Sequence, residues 1–129
     1  MNPLLAALFL GVATAVRAEA IDVDRMIDAI VQIEGHAVND LGGPGRMLRG
    51  TWYDRTRLPY DRSRDPEFCR PVYRSHVRWI MEQFRREGIK STPESVYLAW
   101  RRGVEGAVVR LRGPMPDEAI RCGRIYRGR

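Results

Sequence analysis

The sequence has few cysteines, a single lysine and no internal repeat. It contains two cysteines and two histidines in 129 residues, and no third or fourth ligand stands near the cysteines at metal spacing. Low-complexity stretches are also lacking, and no shift in composition marks a second domain. We therefore expect no metal site, no cofactor and one domain over residues 21–129.

Residues 1–20 resemble a secretory signal peptide. Leu4–Val16 is an uncharged stretch that is short for a membrane span, and Ala18-Glu19-Ala20 provides a small-x-small cleavage site. We expect cleavage after Ala20, a mature chain that starts near Ile21 without a membrane span, and a secreted or periplasmic location. An uncleaved membrane anchor is the alternative, because Met1-Asn2-Pro3 carries no Lys or Arg.

The positive charge is carried almost entirely by arginine. The formal net charge is +6, with Lys90 as the one lysine, and loss of residues 1–20 removes one Arg and one Glu and leaves this charge unchanged. A basic exported protein can bind an anionic polymer or membrane surface. Peptidoglycan or another anionic glycan fits the compartment best, and nucleic acid is disfavoured because no nucleic-acid motif is present. The alternative is a solvated arginine-rich surface.

Cys69 and Cys122 give an even cysteine count in a chain that is expected to be exported, which favours a disulfide bond between them. The bond would join the start of the predicted long helix to the last helix. Closing so long a loop would add roughly 2–4 kcal/mol to the free energy of unfolding.

Apolar residues recur at helical spacing and no segment alternates cleanly at period two, so we expect an all-α domain of about five to six helices without a substantial sheet. The first helix is predicted over Asp22–Glu34, with Gly35 as its C-cap. The longest helix begins at Asp65-Pro66 and ends at Gly88. The other predicted elements are a short helix opened by a Thr51-x-x-Asp54 capping box, a helix from Thr92 that Gly103 interrupts, and a last helix from Pro116.

Glu34 is the residue that most favours a catalytic role. It lies four residues after Ile30 and seven after Ile27, so it continues the apolar stripe of the first helix. Burial disfavours a carboxylate relative to the neutral acid, and a general acid must hold a proton near neutral pH. The glycine-rich loop that follows would leave the carboxyl beside a mobile rim. The alternative is a helix-terminal Glu that points to solvent, as most Glu residues do.

Four blocks of the sequence resemble, in order, the motifs of lytic transglycosylases of the lysozyme-like superfamily. Ile30–Glu34 is similar to the apolar helix that ends in Glu, and Gly43–Trp52 to Gly-x-x-Gln followed by two apolar residues, a turn and Thr. Leu98–Val108 is similar to Ala-Tyr-Asn-x-Gly-x-x-x-Val, and Asp117–Tyr126 to the terminal helix that ends in an apolar residue and Tyr. The blocks span nearly the whole mature chain, and they imply a small lysozyme-like helical fold.

The resemblance implies cleavage of the bond between N-acetylmuramic acid and N-acetylglucosamine in peptidoglycan, with Glu34 as general acid and base. Glu34 would protonate the glycosidic oxygen and then deprotonate the muramic acid 6-hydroxyl, which closes a 1,6-anhydro ring. A hydrolase would more often use two carboxylates. Asp40 and Asp54 are the candidates for the second, although loop and helix-cap roles explain both.

Arginine and aromatic residues are the candidate substrate contacts. Arg46 and Arg101 stand where the family has Gln and Asn, and they would bind a carboxylate of the peptide stem unless they are ordinary surface arginines. Trp52, Tyr97 and Trp100 would offer flat faces to sugar rings. Trp100 is favoured by its place in the third block, whereas Trp52 and Tyr97 are more typical of a core.

Arginine in place of Gln and Asn also favours a second hypothesis, a catalytically inactive wall-binding or structural relative of the same fold. A third hypothesis is a basic secreted protein of unrelated function that binds anionic surfaces. The histidines suggest no metal or nucleophile pair. His36 lies in the loop beside Glu34, where it would tune the carboxyl, and His76 falls on an apolar stripe that is typical of a satisfied core residue.

Overall fold

The computed structural model describes residues 20–35 and 40–128. Within them the chain forms five α-helices, one 3-10 helix and no strand, so the predicted all-α class is confirmed. The elements are α1 Val23–Glu34, α2 Arg49–Arg55, the 3-10 helix Tyr60–Arg64, α3 Pro66–Arg86, α4 Pro93–Arg110 and α5 Asp117–Arg127. None of the described helices is long and apolar enough to cross a membrane. The predicted signal peptide, apart from Ala20, lies outside the described residues.

Capping residues set the ends of α1 and the start of α3. The Asp22 side chain accepts a hydrogen bond from the first turn of α1, and Gly35 ends that helix with a left-handed φ of 58°. Asp65 caps α3 in the same way, with Pro66 as the first helical residue. The predicted bounds of α1 and the predicted start of α3 are therefore confirmed.

The start of α2 differs from its prediction. Leu48 is the N-cap residue, with an extended backbone and no side-chain hydrogen bond, so Thr51 is already the third residue of the helix. The predicted capping box of Thr51 and Asp54 is wrong. The preceding turn sets the start of α2 instead, because the amide of Met47 donates to the carbonyl of Gly42 at 3.1 Å and leaves the chain extended at Leu48.

Gly103 breaks α4, as the sequence predicts. Its φ of 77° and ψ of 164° lie outside the helical region, while the residues on either side are helical. A Cβ added at this position would meet nothing within 4 Å. The backbone conformation, and not a lack of space, therefore favours glycine here. Arg101 and Arg102 lie on the last turn before the break.

The helices pack around one apolar core in which α1 and α4 each contact both α3 and α5. The predicted contact between α1 and α3 is present, and buried apolar residues of these two helices include Ile27, Ile30, Val77, Ile80 and Phe84. At its outer edge Asp24 of α1 accepts a hydrogen bond from Arg74 of α3 at 2.8 Å. This packing brings the C-terminal end of α1 beside α4.

Cys69 and Cys122 are both buried free thiols, so the predicted disulfide bond is wrong. Cys69 lies near the start of α3 against Tyr73, whereas Cys122 lies on α5, which packs on α1 and α4. An even cysteine count does not tell whether two helices place their thiols side by side. Burial, and then the negative charge of Glu94, raise the pKa of Cys122 to about 12, so the thiol stays protonated.

Candidate active site

Glu34 lies at the C-terminal end of α1 with its side chain 3% exposed. Its Oε2 accepts a hydrogen bond from Nη1 of Arg101 at 3.1 Å, and its Oε1 accepts a long one from the hydroxyl of Tyr97 at 3.4 Å. Both donors belong to α4, so this helix fixes the carboxyl from one side. Because the Arg101 side chain is 42% exposed, the ion pair lies at the boundary between core and solvent.

A cavity of about 550 Å³ opens beside Glu34. The end of α1, residues 45–48 and parts of α2, α3 and α4 bound it, and its volume is within the range of roughly 300–1,000 Å³ for small-ligand sites. Arg46, Trp100 and Arg101 also line it. The fold thus brings the predicted catalytic acid and three of the predicted substrate contacts to one cavity, although Glu34 and Arg101 are 67 positions apart.

The loop over residues 40–48 is held to the core by aromatic side chains, and its glycines do not make a free rim. The Tyr73 hydroxyl donates to the carbonyl of Gly42 and accepts from the amide of Gly45 at 3.0 Å. The Trp100 indole donates to the carbonyl of Gly45 at 2.8 Å. A Cβ on Gly45 would lie 2.8 Å from the Tyr73 ring, so this close approach requires glycine.

Arg46 takes an unusual backbone conformation at the edge of the cavity. It is the one non-glycine residue with a positive φ in the described chain, at 55°. Its amide donates to the carbonyl of Gly43 at 3.1 Å, which closes the turn, and its side chain is exposed and lines the cavity. Such conformations cost energy and cluster at functional sites, so the position of Arg46 is consistent with a binding role.

Two of the predicted sugar contacts belong to the core instead. Trp52 is fully buried, and its indole donates to the carbonyl of Leu58 at 2.7 Å. Tyr97 is 2% exposed and reaches Glu34 with its hydroxyl alone. Burial, and then the negative charges of Glu34 and Glu118, raise the pKa of Tyr97, which keeps it a neutral donor. Neither ring is available to a sugar face.

The two candidate second carboxylates are separated by the fold. Asp54, near the end of α2, is exposed and lines the same cavity as Glu34. Asp40 lies in the loop, outside the set of lining residues, where its carbonyl accepts from the amide of Gly43 at 2.9 Å. Asp54 is therefore the carboxylate that the structure offers to a two-carboxylate mechanism.

Sequence reasoning missed one end of the cavity, where Arg55 of α2 lies with His76 and Trp79 of α3. The Arg55 guanidinium is 4.2 Å from the centre of the Trp79 ring. That ring is stacked on His76, with centres 5.6 Å apart and 12° between the planes. The three-residue spacing of His76 and Trp79 places both on one face of α3 and was the one available signal. Nothing in the sequence distinguishes Arg55 from the other arginines.

His76 differs from a satisfied core histidine. It is 7% exposed, but its Nδ1 has no hydrogen-bond partner among the described residues. Burial, and then the positive charge of Arg55, lower the pKa of His76 to about 4, against the opposing charge of Asp54. His76 is therefore neutral near pH 7. The predicted influence of His36 on Glu34 lies outside the described residues.

In the described part of the chain, no group of His, Cys, Asp and Glu residues is arranged to hold a metal ion. No family model, no curated protein and no solved structure matches the sequence or the fold. The chemistry of the cavity residues is therefore the basis for inferring a function.

Proposed function

We propose that the chain cleaves the glycosidic bond between N-acetylmuramic acid and N-acetylglucosamine in peptidoglycan, with Glu34 as general acid and base. The observation that carries the proposal is the Glu34 carboxyl, which is 3% exposed and borders a ligand-sized cavity. A desolvated carboxyl next to a cleft is the group that acid catalysis of glycoside cleavage needs. Trp100 and Arg101, from the third block of the resemblance, line the same cavity.

Glu34 has to lose its contact with Arg101 before it can deliver a proton. In the structure Nη1 of Arg101 donates to Oε2 of Glu34 at 3.1 Å and so occupies this carboxyl oxygen. Arg101 is partly exposed, so its guanidinium can turn to a carboxylate of the substrate and leave Glu34 desolvated and unpaired. Glu34 would then take up a proton from solvent and pass it to the leaving glycosidic oxygen as the C1–O bond breaks.

The second step decides between two enzyme classes. In a lytic transglycosylase the muramic acid 6-hydroxyl attacks C1, Glu34 takes its proton, and a 1,6-anhydro end forms. In a muramidase a water attacks C1 and a reducing end forms, commonly with a second carboxylate. The position of Asp54 in the cavity supports the second route, and the one-carboxyl character of the resemblance supports the first.

A non-catalytic wall-binding relative is the second candidate function. The observation that favours it is the same ion pair, because Arg101 occupies the Glu34 carboxyl where the family has Asn. Arg46 replaces a second polar residue of the family at the edge of the same cavity. In this case the cavity would bind glycan without cutting it.

Export is part of the proposal, because peptidoglycan lies outside the cytoplasm. We infer a signal peptide over residues 1–20, cleaved after Ala20, from the uncharged stretch and the Ala18-Glu19-Ala20 site. The intact mass of protein from the export compartment should match a chain that begins near Ile21. A full-length mass there would contradict the cleavage.

Purified protein over residues 21–129 should release soluble fragments from cell-wall sacculi, and their masses would identify the reaction. An anhydro product is lighter by one water than the hydrolysis product of the same fragment. Glu34→Gln removes the transferable proton and should lower the rate by about 10²–10⁴-fold. Glu105→Gln is the matched control, because Glu105 is an exposed residue of α4 that does not line the cavity, and this variant should keep full activity.

Two results would overturn the catalytic role. If Glu34→Gln cleaved sacculi as fast as wild type, another group would be the acid, and Asp54→Asn would be tested next. If wild type bound sacculi without cleaving them, the wall-binding candidate would replace the enzyme. In that case Arg46→Gln with Arg101→Asn would test whether the family residues restore cleavage.

A further inference from the structure

Two buried polar side-chain atoms in the described chain have no hydrogen-bond partner, and they meet at one end of the cavity. They are Nε of Arg55 and Nδ1 of His76. Both residues line the cavity beside Glu34. Since buried polar groups are nearly always hydrogen-bonded, two such nitrogens in one wall indicate a partner from outside the chain.

Aromatic packing holds these groups in place without using their donors. Trp79 contacts both residues, with its ring centre 4.2 Å from the Arg55 guanidinium and its ring stacked on the His76 imidazole. Trp100 packs on His76 from α4, with ring centres 5.4 Å apart and 60° between the planes. A guanidinium fixed by its flat face keeps its N–H groups for a ligand, so the end of the cavity is pre-organised to donate hydrogen bonds.

The charges around the cavity favour an anionic partner. Its lining includes four arginines against two carboxylates: Arg46, Arg55, Arg101 and Arg102 against Glu34 and Asp54. Arg101 is already paired with Glu34, whereas Arg55 makes no ion pair with Asp54. A carboxylate matches the two-pronged edge of a guanidinium better than a neutral hydroxyl does.

We propose that Arg55, His76 and Trp79 form a subsite for a carboxylate carried by the muramic acid residue. The carboxylate would accept hydrogen bonds from Arg55 and from His76, while the sugar ring lies toward Glu34. The identity of the sugar rests on the proposed function, whereas the preference for a carboxylate rests on the subsite alone. The carboxylate is either that of the lactyl ether or that of the stem peptide.

Three small probes separate these possibilities. N-acetylglucosamine has no carboxylate, N-acetylmuramic acid carries the lactyl carboxylate, and N-acetylmuramyl-L-alanine carries one at its alanine end. We expect at least one of the two acids to bind about tenfold or more tightly than N-acetylglucosamine, as hydrogen bonds to a charged group would give. The tighter acid identifies the source of the carboxylate.

His76 supplies a direct readout by nuclear magnetic resonance, because His36 is the one other histidine and a His36→Gln variant assigns the signals. The charged groups that act on His76 are Arg55 and Asp54 of α2, and Trp100 faces it from α4. An added carboxylate favours the imidazolium form. The pKa of His76 should therefore rise from about 4 when an acid probe binds and stay unchanged with N-acetylglucosamine.

Variants of Arg55 test the subsite itself. Arg55→Gln should bring the affinities of acid and neutral probes to within about threefold, and Arg55→Lys should keep part of the preference because the charge remains without the planar fork. Arg110→Gln, an exposed arginine of α4 outside the cavity, should bind as wild type does. If Arg55→Gln does not fold, the Arg55→Lys variant and the His76 titration decide.

Equal binding of the three probes, or an unchanged preference in the Arg55 variants, would overturn the subsite. The proposed function and the subsite can be contradicted by different results. If sacculi stay intact but the acid probes still bind at His76, the enzyme proposal falls and the subsite stands. If sacculi are cleaved but the probes bind alike, the enzyme stands and the subsite falls.

Discussion

The loop over residues 40–48 and the end of α4 around Gly103 line the same cavity, but they are held by different means. The loop is buried at three of its glycines and tied to Tyr73 and Trp100 by hydrogen bonds. The α4 segment is exposed at Arg101, Arg102 and Gly103, and a Cβ at Gly103 would touch nothing. We call the loop over residues 40–48 the first wall of the cavity and the α4 segment around Gly103 the second wall. Packing fixes the first wall, whereas backbone conformation shapes the second.

From this difference we infer that the two walls contribute to different properties of the protein. Arg46 belongs to the loop that hydrogen bonds hold to the core, whereas Arg101 lies two residues before the break at Gly103 and has a side chain that is 42% exposed. A substitution in the loop should therefore act mainly on stability. A substitution at the break should act mainly on binding and cleavage.

The largest expected effect on stability comes from a substitution in the apolar core. Ile30 is 1% exposed on the buried face of α1, one turn before Glu34. Ile30→Ala leaves a cavity in the core and should lower the free energy of unfolding by about 2–5 kcal/mol. Urea denaturation followed by circular dichroism measures this loss. Gln32→Ala, at an exposed position of the same helix, should stay within about 0.5 kcal/mol of wild type; equal stabilities for the two variants would contradict the packing.

His76 lies at one end of the cavity, against Trp100 of α4, and makes the free energy of unfolding depend on pH. Its pKa is about 4 in the folded chain and 6.5 is the ordinary value, so the unfolded chain takes up the proton first as the pH falls. The stabilising contribution is complete above pH 6.5 and declines between pH 6.5 and 4, by up to about 3 kcal/mol.

A His76→Gln variant cannot titrate at this position, so its free energy of unfolding should fall less than that of wild type between pH 7 and pH 4. Denaturant midpoints at several pH values in this window give the difference. Identical pH profiles for the two proteins would mean that the buried imidazole is not held neutral by its surroundings.

Gly45→Ala tests the fixed wall. The new methyl would lie 2.8 Å from the Tyr73 ring and 3.0 Å from the Trp100 ring, so the loop has to shift and overpacking should cost about 1–3 kcal/mol. Gly50→Ala is the matched control, because a Cβ there meets nothing within 4 Å and the residue is helical. That variant should be as stable as wild type or up to about 1 kcal/mol more stable. A loop that tolerated both changes equally would not be fixed by its aromatic contacts.

Local chemistry explains which parts of this fold the sequence could predict. The Asp22 and Gly35 caps, the Asp65-Pro66 start and the break at Gly103 act through neighbouring residues, and all appear in the structure. The apolar stripe correctly put Glu34 on a buried face. The start of α2 was mispredicted because a turn several residues earlier sets it.

The rest of the site depends on contacts between distant segments. A fully buried Trp52 and a cavity-lining Trp100 look alike in sequence, since both fall at helical spacing near a motif. Arg55 and His76 meet because α2 packs on α3, and spacing along the chain does not show this. The prediction of a disulfide bond was wrong for the same reason, because the positions of Cys69 and Cys122 depend on which helices are neighbours.

Gly103→Ala tests the second wall and should have the smallest effect on stability. Alanine disfavours the φ of 77°, at a cost of order 1–3 kcal/mol, but it also gains about 1 kcal/mol wherever the residue can become helical. The expected net loss is therefore below about 2 kcal/mol and below that of Gly45→Ala. Relief of the strain would straighten α4, turn Arg101 away from Glu34 and raise the helical signal in circular dichroism.

The decisive measurement for this variant compares its loss of binding and cleavage with its loss of stability. Binding of N-acetylmuramic acid and any cleavage of sacculi should fall more steeply in Gly103→Ala than in Gly45→Ala, although Gly103→Ala is the more stable of the two. Function that falls only in step with stability in both variants would contradict the division between the walls. The Glu34–Arg101 pair would then be held by the packing of α1 and α4 against α3 and α5, because the break at Gly103 would carry no separate control of Arg101.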